Sequence, residues 1–347
     1  MKMNKLAGGA LEVSTLCLGS MTWGSTNTEA EGHAQIDMFT DHGGNFIDTA
    51  EMYPVNPIKA ERCGASERVI GSWLARTGRR DDVVIATKVT GDNGGFKRGG
   101  NGYDGSVIPE AIEDSLRNLQ TDYIDIYQLH WPMRGSYAFR QNWTFDPSGQ
   151  DRDATKAHMR DVLSAMKAAV DAGKVRHFAL SNESAWGTME WLRLAREMGA
   201  PEVVSIQNEY SLLYRQADTD LAELCHHEGV RILSYSPLGT GLLTGKYQGG
   251  AVPEGSRMSI YPNLGGRKTD RVFDAVGAYL EVARKHGLDV VQMALAFAMS
   301  RPFMGSTIFG ASSTAQLAHV LDGKDLVLSD EVMADIDLAH RAHPYPY

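Results

Sequence analysis

The chain has 347 residues, and 34 Lys and Arg stand against 43 Asp and Glu, for a net charge of −9. A charged fraction of 22% beside an apolar fraction of 43% excludes global disorder. The acidic balance, with no Lys/Arg run longer than two, excludes nucleic-acid binding through bulk positive charge. Cys17, Cys63 and Cys225 lack the spacing of a disulfide framework or a zinc site and suit a reducing compartment. No apolar run approaches the roughly 18 residues of a membrane span. The first residues, broken by Glu12 and three glycines, do not read as a secretory signal. The expected location is the cytoplasm, with no nucleic-acid or membrane partner.

Strand-like and helix-like patterns alternate along the chain. The run Thr15–Leu18 leads into Gly19, and Thr28–His42 reads as a helix with Ile36 and Phe39 on one face. Asn45–Asp48 is a short strand, and Ser66–Arg76 a helix. Val83–Thr87 is a β-branched strand bounded by Lys88 and a glycine-rich loop. Pro109–Leu119 is a helix with Pro in its first turn, followed by the strand Ile124–Leu129 and His130. Asp161–Ala172 is a helix stopped by Gly173; Val175–Leu180 is a strand. Ala185–Met198 is a helix stopped by Gly199. Val203–Gln207 and Ile232–Tyr235 are strands flanking a helix at Asp218–Glu228. Arg271–His286 and Val290–Met299 are helical, Ser306–Phe309 is the last strand, and Thr314–Leu321 and Asp330–His340 are helices.

Eight strands, each followed by a helix, imply parallel pairing and favour a closed (β/α)8 barrel over an open doubly wound sheet. Residues 1–347 read as one barrel domain. Two long loops, Gly91–Ser106 and Trp131–Lys156, follow strands, so both belong to the rim where barrel active sites lie.

Polar residues close consecutive strands: Asp48 the second, Lys88 the third, His130 the fourth. Tyr53 follows in the run DTAEMY. A free phenol loses its proton near pH 10, a reluctant acid at neutrality. A buried ammonium beside it favours the tyrosinate, and a carboxylate keeps that ammonium charged. Asp, Lys and Tyr together therefore form a general acid, and His130 supplies a hydrogen bond to a carbonyl oxygen. Each residue alone has a plainer reading. Asp48 would be a helix cap, Lys88 a first solvated residue, His130 a core histidine, and Tyr53 a loop aromatic. Their shared rim makes the joint reading the stronger one.

The runs GGNFIDTAEMY, VVIATKV, YIDIYQLHWP, HFALSNES, SIQNEYSLL and YSPLGTGLLTGKY resemble the signature segments of the aldo-keto reductase superfamily. The segments at 52–65 and after His130 resemble its Tas-type bacterial branch. The resemblance spans about residues 10–340 and implies a (β/α)8 barrel that interconverts carbonyls and alcohols with NADP(H). It implies a tetrad of Asp48, Tyr53, Lys88 and His130, with Tyr53 as general acid in reduction.

By the same resemblance, Ser181, Asn182 and Gln207 hold the nicotinamide carboxamide and Tyr235 stacks on the ring. The loop Ser236–Leu243, with Ser236, Pro237, Leu238 and the glycines Gly239 and Gly241, wraps the pyrophosphate, and Lys246 lies beyond it. Gly310, Ser312 and Gln316, at a helix N-terminus suited to phosphate, take the adenosine end. Ser181-Asn182 also has the plainer reading of an ordinary helix cap. Two departures stand out. Val320 occupies a position where the family pattern has Asn, and no Arg or Lys follows Gly310-Ala311. The positive partner for a 2′-phosphate then falls to Lys246, Arg257 or Arg267, or NAD(H) serves as well.

Trp23, Met52 and Trp131 are the expected substrate-pocket walls. Tyr137, Phe139, Trp143 and Phe145 in the loop after Trp131 either form a vestibule or pack that loop onto the barrel. The GxGxxG string Gly100–Gly105 follows its strand too late for a dinucleotide fingerprint and reads as a flexible lid. The run ending Gly245-Lys246 departs from a phosphate-binding P-loop at Thr240 and Tyr247. No histidine group has a carboxylate at metal spacing, so no metal is expected.

The leading function is NADPH-dependent reduction of a small carbonyl compound. The alternative is a nucleotide-sensing regulatory protein on the same barrel, as the potassium-channel β-subunits of the family exemplify. A metal-dependent hydrolase would leave Tyr53 and Lys88 unexplained. The surface pattern specifies no oligomeric state.

Overall fold

The structure is a computed structural model that describes residues 1–55 and 57–347. The chain opens with strands β1 (Met3–Leu6) and β2 (Leu11–Ser14), which pair as an antiparallel hairpin. The barrel follows: β3 (Leu16–Gly19), α1 (Glu29–Asp41), β4 (Phe46–Asp48), α2 (Ala65–Thr77), β5 (Val84–Val89), α3 (Ile108–Leu119), β6 (Ile124–Leu129) and α4 (Arg152–Asp171). Then come β7 (Val175–Ser181), α5 (Ala185–Met198), β8 (Val203–Glu209), α6 (Asp220–Glu228) and β9 (Arg231–Tyr235). A long connection carries α7 (Arg257–Ile260), α8 (Val272–Lys285) and α9 (Val290–Met299) to β10 (Met304–Phe309). Helices α10 (Thr314–Asp322) and α11 (Asp330–Ala342) end it. Strands β3 to β10 close in the order β10-β3-β4-β5-β6-β7-β8-β9, and every neighbouring pair is parallel. This is the (β/α)8 barrel that the alternation predicts.

Local chemistry sets the helix ends. Thr28 and Glu31 make a reciprocal capping box at α1. Asp151, Ser184, Asp289, Ser313 and Ser329 each accept a hydrogen bond from the first turn they precede. Gly78, Gly199 and Gly229 close α2, α5 and α6 in the left-handed conformation.

The strands carry two cores. One lies between barrel and helices and includes Ile85, Leu129, Phe178, Ile206 and Trp73. The other fills the lower interior with Cys17, Phe46, Val84, Ala86, Ile126, Ala179, Leu233 and Ile308. Side chains two apart share a face of a strand. The inward columns therefore run Phe46–Asp48, Val84–Ala86–Lys88, Ile126–Gln128 and Ala179–Ser181, apolar below and polar at the C-terminal mouth. Leu6, Leu11 and Val13 of the hairpin join the lower core. Asn4 Nδ2 donates to the Gly305 carbonyl at 2.9 Å, so the hairpin floors the barrel at its N-terminal end.

Two elements differ from the sequence reading. The hairpin is additional to it. Helix α4 starts at Arg152, nine positions before the expected Asp161, and takes the end of the supposed loop Trp131–Lys156. Its first two turns are largely solvent-facing, so they carry no apolar periodicity. The readable signal was Asp151, whose carboxylate caps Asp153 and Ala154 N–H.

The α2–α3 contact depends on a bare backbone. A Cβ on Gly71 would lie 2.2 Å from the Asn118 carbonyl oxygen. Gly71→Ala is expected to destabilise the fold by about 2 kcal/mol through overpacking, read as a lowered denaturant midpoint at unchanged slope.

Candidate active site

Strand ends place the expected tetrad at one mouth. Register pairs Asp48 with Ala86 and Lys88 with Gln128. Lys88 is fully buried. Its ammonium donates to both Asp48 carboxylate oxygens at 2.8 Å and to the Thr49 carbonyl at 2.7 Å. All three of its N–H groups are thereby used. Its Nζ lies 5.0 Å from the centre of the Tyr53 ring. The Tyr53 and His130 rings meet edge to face with centroids 5.8 Å apart.

The electrostatics differ from the sequence expectation in one respect. Burial, then the Asp48 charge, then Tyr235 push the Tyr53 phenol well above its ordinary value. The expected lowering by the ammonium is outweighed, since Lys88 is matched by Asp48. Burial also lowers the Lys88 pKa, against the pull of Asp48. Burial first, and Lys88 second, push His130 well below 6.5, so its imidazole is neutral. His130 Nδ1 is buried without a hydrogen-bond partner.

The expected carboxamide group is also assembled. Ser181 Oγ donates to the Gln207 carbonyl at 2.9 Å. Asn182, in the left-handed region at φ 54°, donates from Nδ2 to the His130 carbonyl at 2.9 Å. Its Oδ1 accepts from the Tyr235 hydroxyl at 2.7 Å. Gln207 Nε2 donates to Asp48 Oδ1 at 2.7 Å, which ties this group to the tetrad.

Downstream, Ser236, Gly239, Thr240 and Gly241 all have positive φ, a backbone curl of the kind that presents N–H groups to an anion. Pro237 and Leu238 lie within it. Lys246 is exposed, and its Nζ would lie 3.2 Å from a Cβ on Gly241. Past β10, Gly310 is exposed, and Ser312 donates from N and Oγ to Gln316 Oε1, both at 3.0 Å, at the start of α10. Val320 is buried in the outer core, which accounts for an apolar residue there.

The three candidate phosphate cations separate. Arg267 is committed to Glu209, Nε to Oε1 at 2.7 Å. Lys246 rests over the Tyr247 ring at 5.2 Å. Arg257 is half-buried. The groups acting on it are Arg267, Tyr247 and Tyr261, with no carboxylate among them, and burial lowers its pKa. A half-buried guanidinium with no carboxylate acting on it is free to take an anion.

The apolar wall around Tyr53 consists of Ala50, Met52 and Val55, with Met21, Cys63, Phe96 and Trp131 packed against them. Met52 and Trp131 are thus where the sequence placed them. Trp23 is not: it is fully buried, with its indole N–H on Gln35 Oε1 at 3.0 Å and its ring against Gly32. Met21, two residues past the end of β3, takes the wall position instead. The aromatic loop divides its labour. Phe139 meets Trp131 edge on at 5.9 Å, while the exposed Trp143 lies under Arg271 at 5.5 Å. Tyr137 and Phe145 pack on each other at 6.1 Å. A cavity of about 680 Å³ behind this loop is lined by Tyr103, Arg134, His158 and Trp191 among others and contains none of the tetrad.

Sequence reading missed three buried glutamates. Glu51 bonds Arg98, Glu183 bonds Arg134, and Glu209 bonds Arg140 and Arg267. The stretch Gly100–Gly105, read as a flexible lid, belongs to the loop Gly91–Ser106, which is fastened: Arg98 reaches Glu51 at 2.6 Å and the Gly102 carbonyl at 3.1 Å.

The model of the Aldo/keto reductase family matches residues 15–341. The chain belongs to this family. The protein tas of Escherichia coli (strain K12) is 42% identical over 352 residues, covering 100% of this chain and 99% of its own length. A probable voltage-gated potassium channel subunit beta of Arabidopsis thaliana is 29% identical over 94% of this chain and 92% of its own. Norsolorinic acid reductase B of Aspergillus parasiticus is 28% identical over 96% and 83%. Aldo/keto reductases are oxidoreductases that generally use NADP(H), so the protein is an oxidoreductase of that family. Among the described residues no helix is long and apolar enough to cross a membrane.

The neutral His130 has a thermodynamic signature. Unfolded, it takes up a proton below pH 6.5; folded, it does not. Its folded pKa is depressed, so the unfolded state binds more protons, and stability falls as pH drops below 6.5. His130→Gln should flatten that acid limb by about 1.4 kcal/mol per pH unit. The check is denaturant unfolding across the range. His158, His177 and His340 are shifted in the same direction and leave a residual slope.

Proposed function

We propose that this protein reduces small aldehydes or ketones to alcohols with NADPH, Tyr53 being the proton donor. The observation that carries the reading is Tyr53 lying beside a neutral His130 and a fully buried Lys88–Asp48 pair, under an apolar wall. Bound NADPH would supply the hydride. The chain's own part is to orient the carbonyl and deliver a proton to its oxygen. A neutral imidazole has one N–H to give, and His130 uses it to orient that oxygen. The Tyr53 phenol stays protonated at every working pH, since burial holds its pKa up. It releases its proton only to an oxygen becoming an alkoxide, which is more basic still.

Ser181, Asn182 and Gln207 suit a carboxamide and Tyr235 a ring. Binding there exchanges the internal bonds from Gln207 to Asp48 and from Tyr235 to Asn182 for bonds to the coenzyme. The curl at 236–241 suits the pyrophosphate, and Ser312 and Gln316 suit the adenosine end. Arg257, half-buried and with no carboxylate among the groups acting on it, is our choice for the phosphate cation. The free thiols Cys17, Cys63 and Cys225 fit a cytoplasmic setting.

Tyr53→Phe should lower kcat for an activated aromatic aldehyde by about a hundredfold or more while keeping NADPH affinity. Loss of reduced-nicotinamide absorbance reads the first, and nucleotide fluorescence the second. If both proteins bind NADPH and neither turns over a broad carbonyl panel, the regulatory reading replaces this one. That alternative draws on the likeness to the Arabidopsis protein. Arg257→Ala should raise the Kd for NADPH about tenfold. An equal loss for NADH would place Arg257 on the pyrophosphate; a smaller one would place it on the 2′-phosphate. Unchanged binding of both would remove it from the coenzyme site.

A further inference from the structure

We propose that Arg98 and Glu51 are a positioning pair that fixes Tyr53 and Lys88 relative to each other at the barrel mouth. The inference rests on the reading of Tyr53 as proton donor. Glu51 stands two residues before Tyr53 and is 2% exposed. A carboxylate taken that far from water needs strong partners. Its Oε1 accepts from Thr90 N–H at 2.6 Å and from Arg98 Nη2 at 2.6 Å, and its Oε2 accepts from Arg98 Nη1 at 2.8 Å. Lys97 Nζ adds a longer contact to Oε2 at 3.7 Å. The Glu51 N–H donates to the Lys88 carbonyl at 3.2 Å.

The other side of the pair is equally committed. Arg98 Nη2 also donates to the Thr90 carbonyl at 2.7 Å, and Nε donates to the Gly102 carbonyl at 3.1 Å. One guanidinium therefore joins three segments: the turn carrying Tyr53, the end of β5 carrying Lys88, and the loop Gly91–Ser106. A planar fork with five N–H groups serves all of them at once, which a lysine's point charge cannot do. Arg98 is absent from the apolar wall around Tyr53 and acts through Glu51 and Thr90. A shift of about 1 Å in a donor's position is enough to cost a large factor in rate.

The fold contains its own control. Asp125, at the start of β6, is 2% exposed and holds Arg80 at 2.7 Å, Arg176 at 3.0 Å and the Ile85 N–H at 2.9 Å. It fastens β5 to β6 with the same chemistry, at the opposite ends of the strands from the tetrad.

The test compares the full chain with Arg98→Ala, Arg98→Lys and Arg80→Ala. Melting temperature, NADPH fluorescence titration, kcat, KM and the pH profile of kcat are measured for each. Arg98→Ala should lower kcat by about tenfold or more and shift the pH profile, with NADPH affinity kept. Arg98→Lys should recover part of kcat. Arg80→Ala should lose a similar amount of melting temperature and keep kcat and its pH profile. Equal kcat losses in Arg98→Ala and Arg80→Ala, or full kcat in Arg98→Ala, would overturn the proposal. Amide hydrogen exchange provides a readout free of turnover. In Arg98→Ala, segments 49–55 and 91–106 should gain exchange together; a gain in 91–106 alone would mean that Arg98 holds only the loop, and the proposal fails. If the wild type reduces no carbonyl, the functional reading falls by its own Tyr53 test, and exchange still judges the coupling.

Discussion

An ammonium with no solvent exposure sits where the barrel interior turns from apolar to polar. Lys88 cannot keep its charge there without a matching carboxylate and a full set of acceptors. Asp48 and the Thr49 carbonyl supply them, and Asp48 is itself held by Gln207 and Gln128. Residues from β4, β5, β6 and β8 are thus drawn to one point. Removing either charge would strand the other, a cost of about 3–5 kcal/mol. The pairing also explains why Tyr53 is not acidified: a neutralised ammonium has little field left for its neighbour, and burial decides the phenol's state.

The long loops obey the same demand. Glu51 and Glu183 lie just past the ends of β4 and β7, Glu209 is the last residue of β8, and all are buried. Each faces an arginine from a different stretch of rim: Arg98, Arg134, and Arg140 with Arg267. Each acid also stands close in sequence to a candidate site residue: Glu183 next to Asn182, and Glu51 and Glu209 two positions from Tyr53 and Gln207. The rim is therefore organised from the strand ends outward. Glycine-rich loops that would otherwise sample many conformations are ordered before any ligand arrives, which lowers the entropy that binding must overcome.

Barrel closure was legible because alternation of β-branched runs and capped helices is a local signal. The grouping of Asp48, Lys88 and His130 was legible because they close successive strands, with Tyr53 five residues past Asp48. Sequence order carries less about what a side chain meets across the rim. Trp23 looked like a pocket wall, yet its indole N–H needs an acceptor and finds Gln35 on α1, which leaves the wall to Met21. The polar opening turns of α4 left no periodic trace. Arg98 lies in the glycine-rich loop Gly91–Ser106, to which the sequence assigned no contact. Its partner stands 47 residues away in sequence, and nothing local announces the pair.

The hairpin β1–β2 plants Leu6, Leu11 and Val13 in the lower interior. Below Lys88 the barrel interior is mostly apolar, with a few buried serines such as Ser205 and Ser306, and the hairpin floors it, so it is a cup and not a tube. On the proposed function, coenzyme and substrate would both enter by the C-terminal mouth, where Trp131 meets Phe139. Traffic through such an opening is a queue in which whatever enters last must leave first, and the order of release is set by depth in the cup before any affinity is considered.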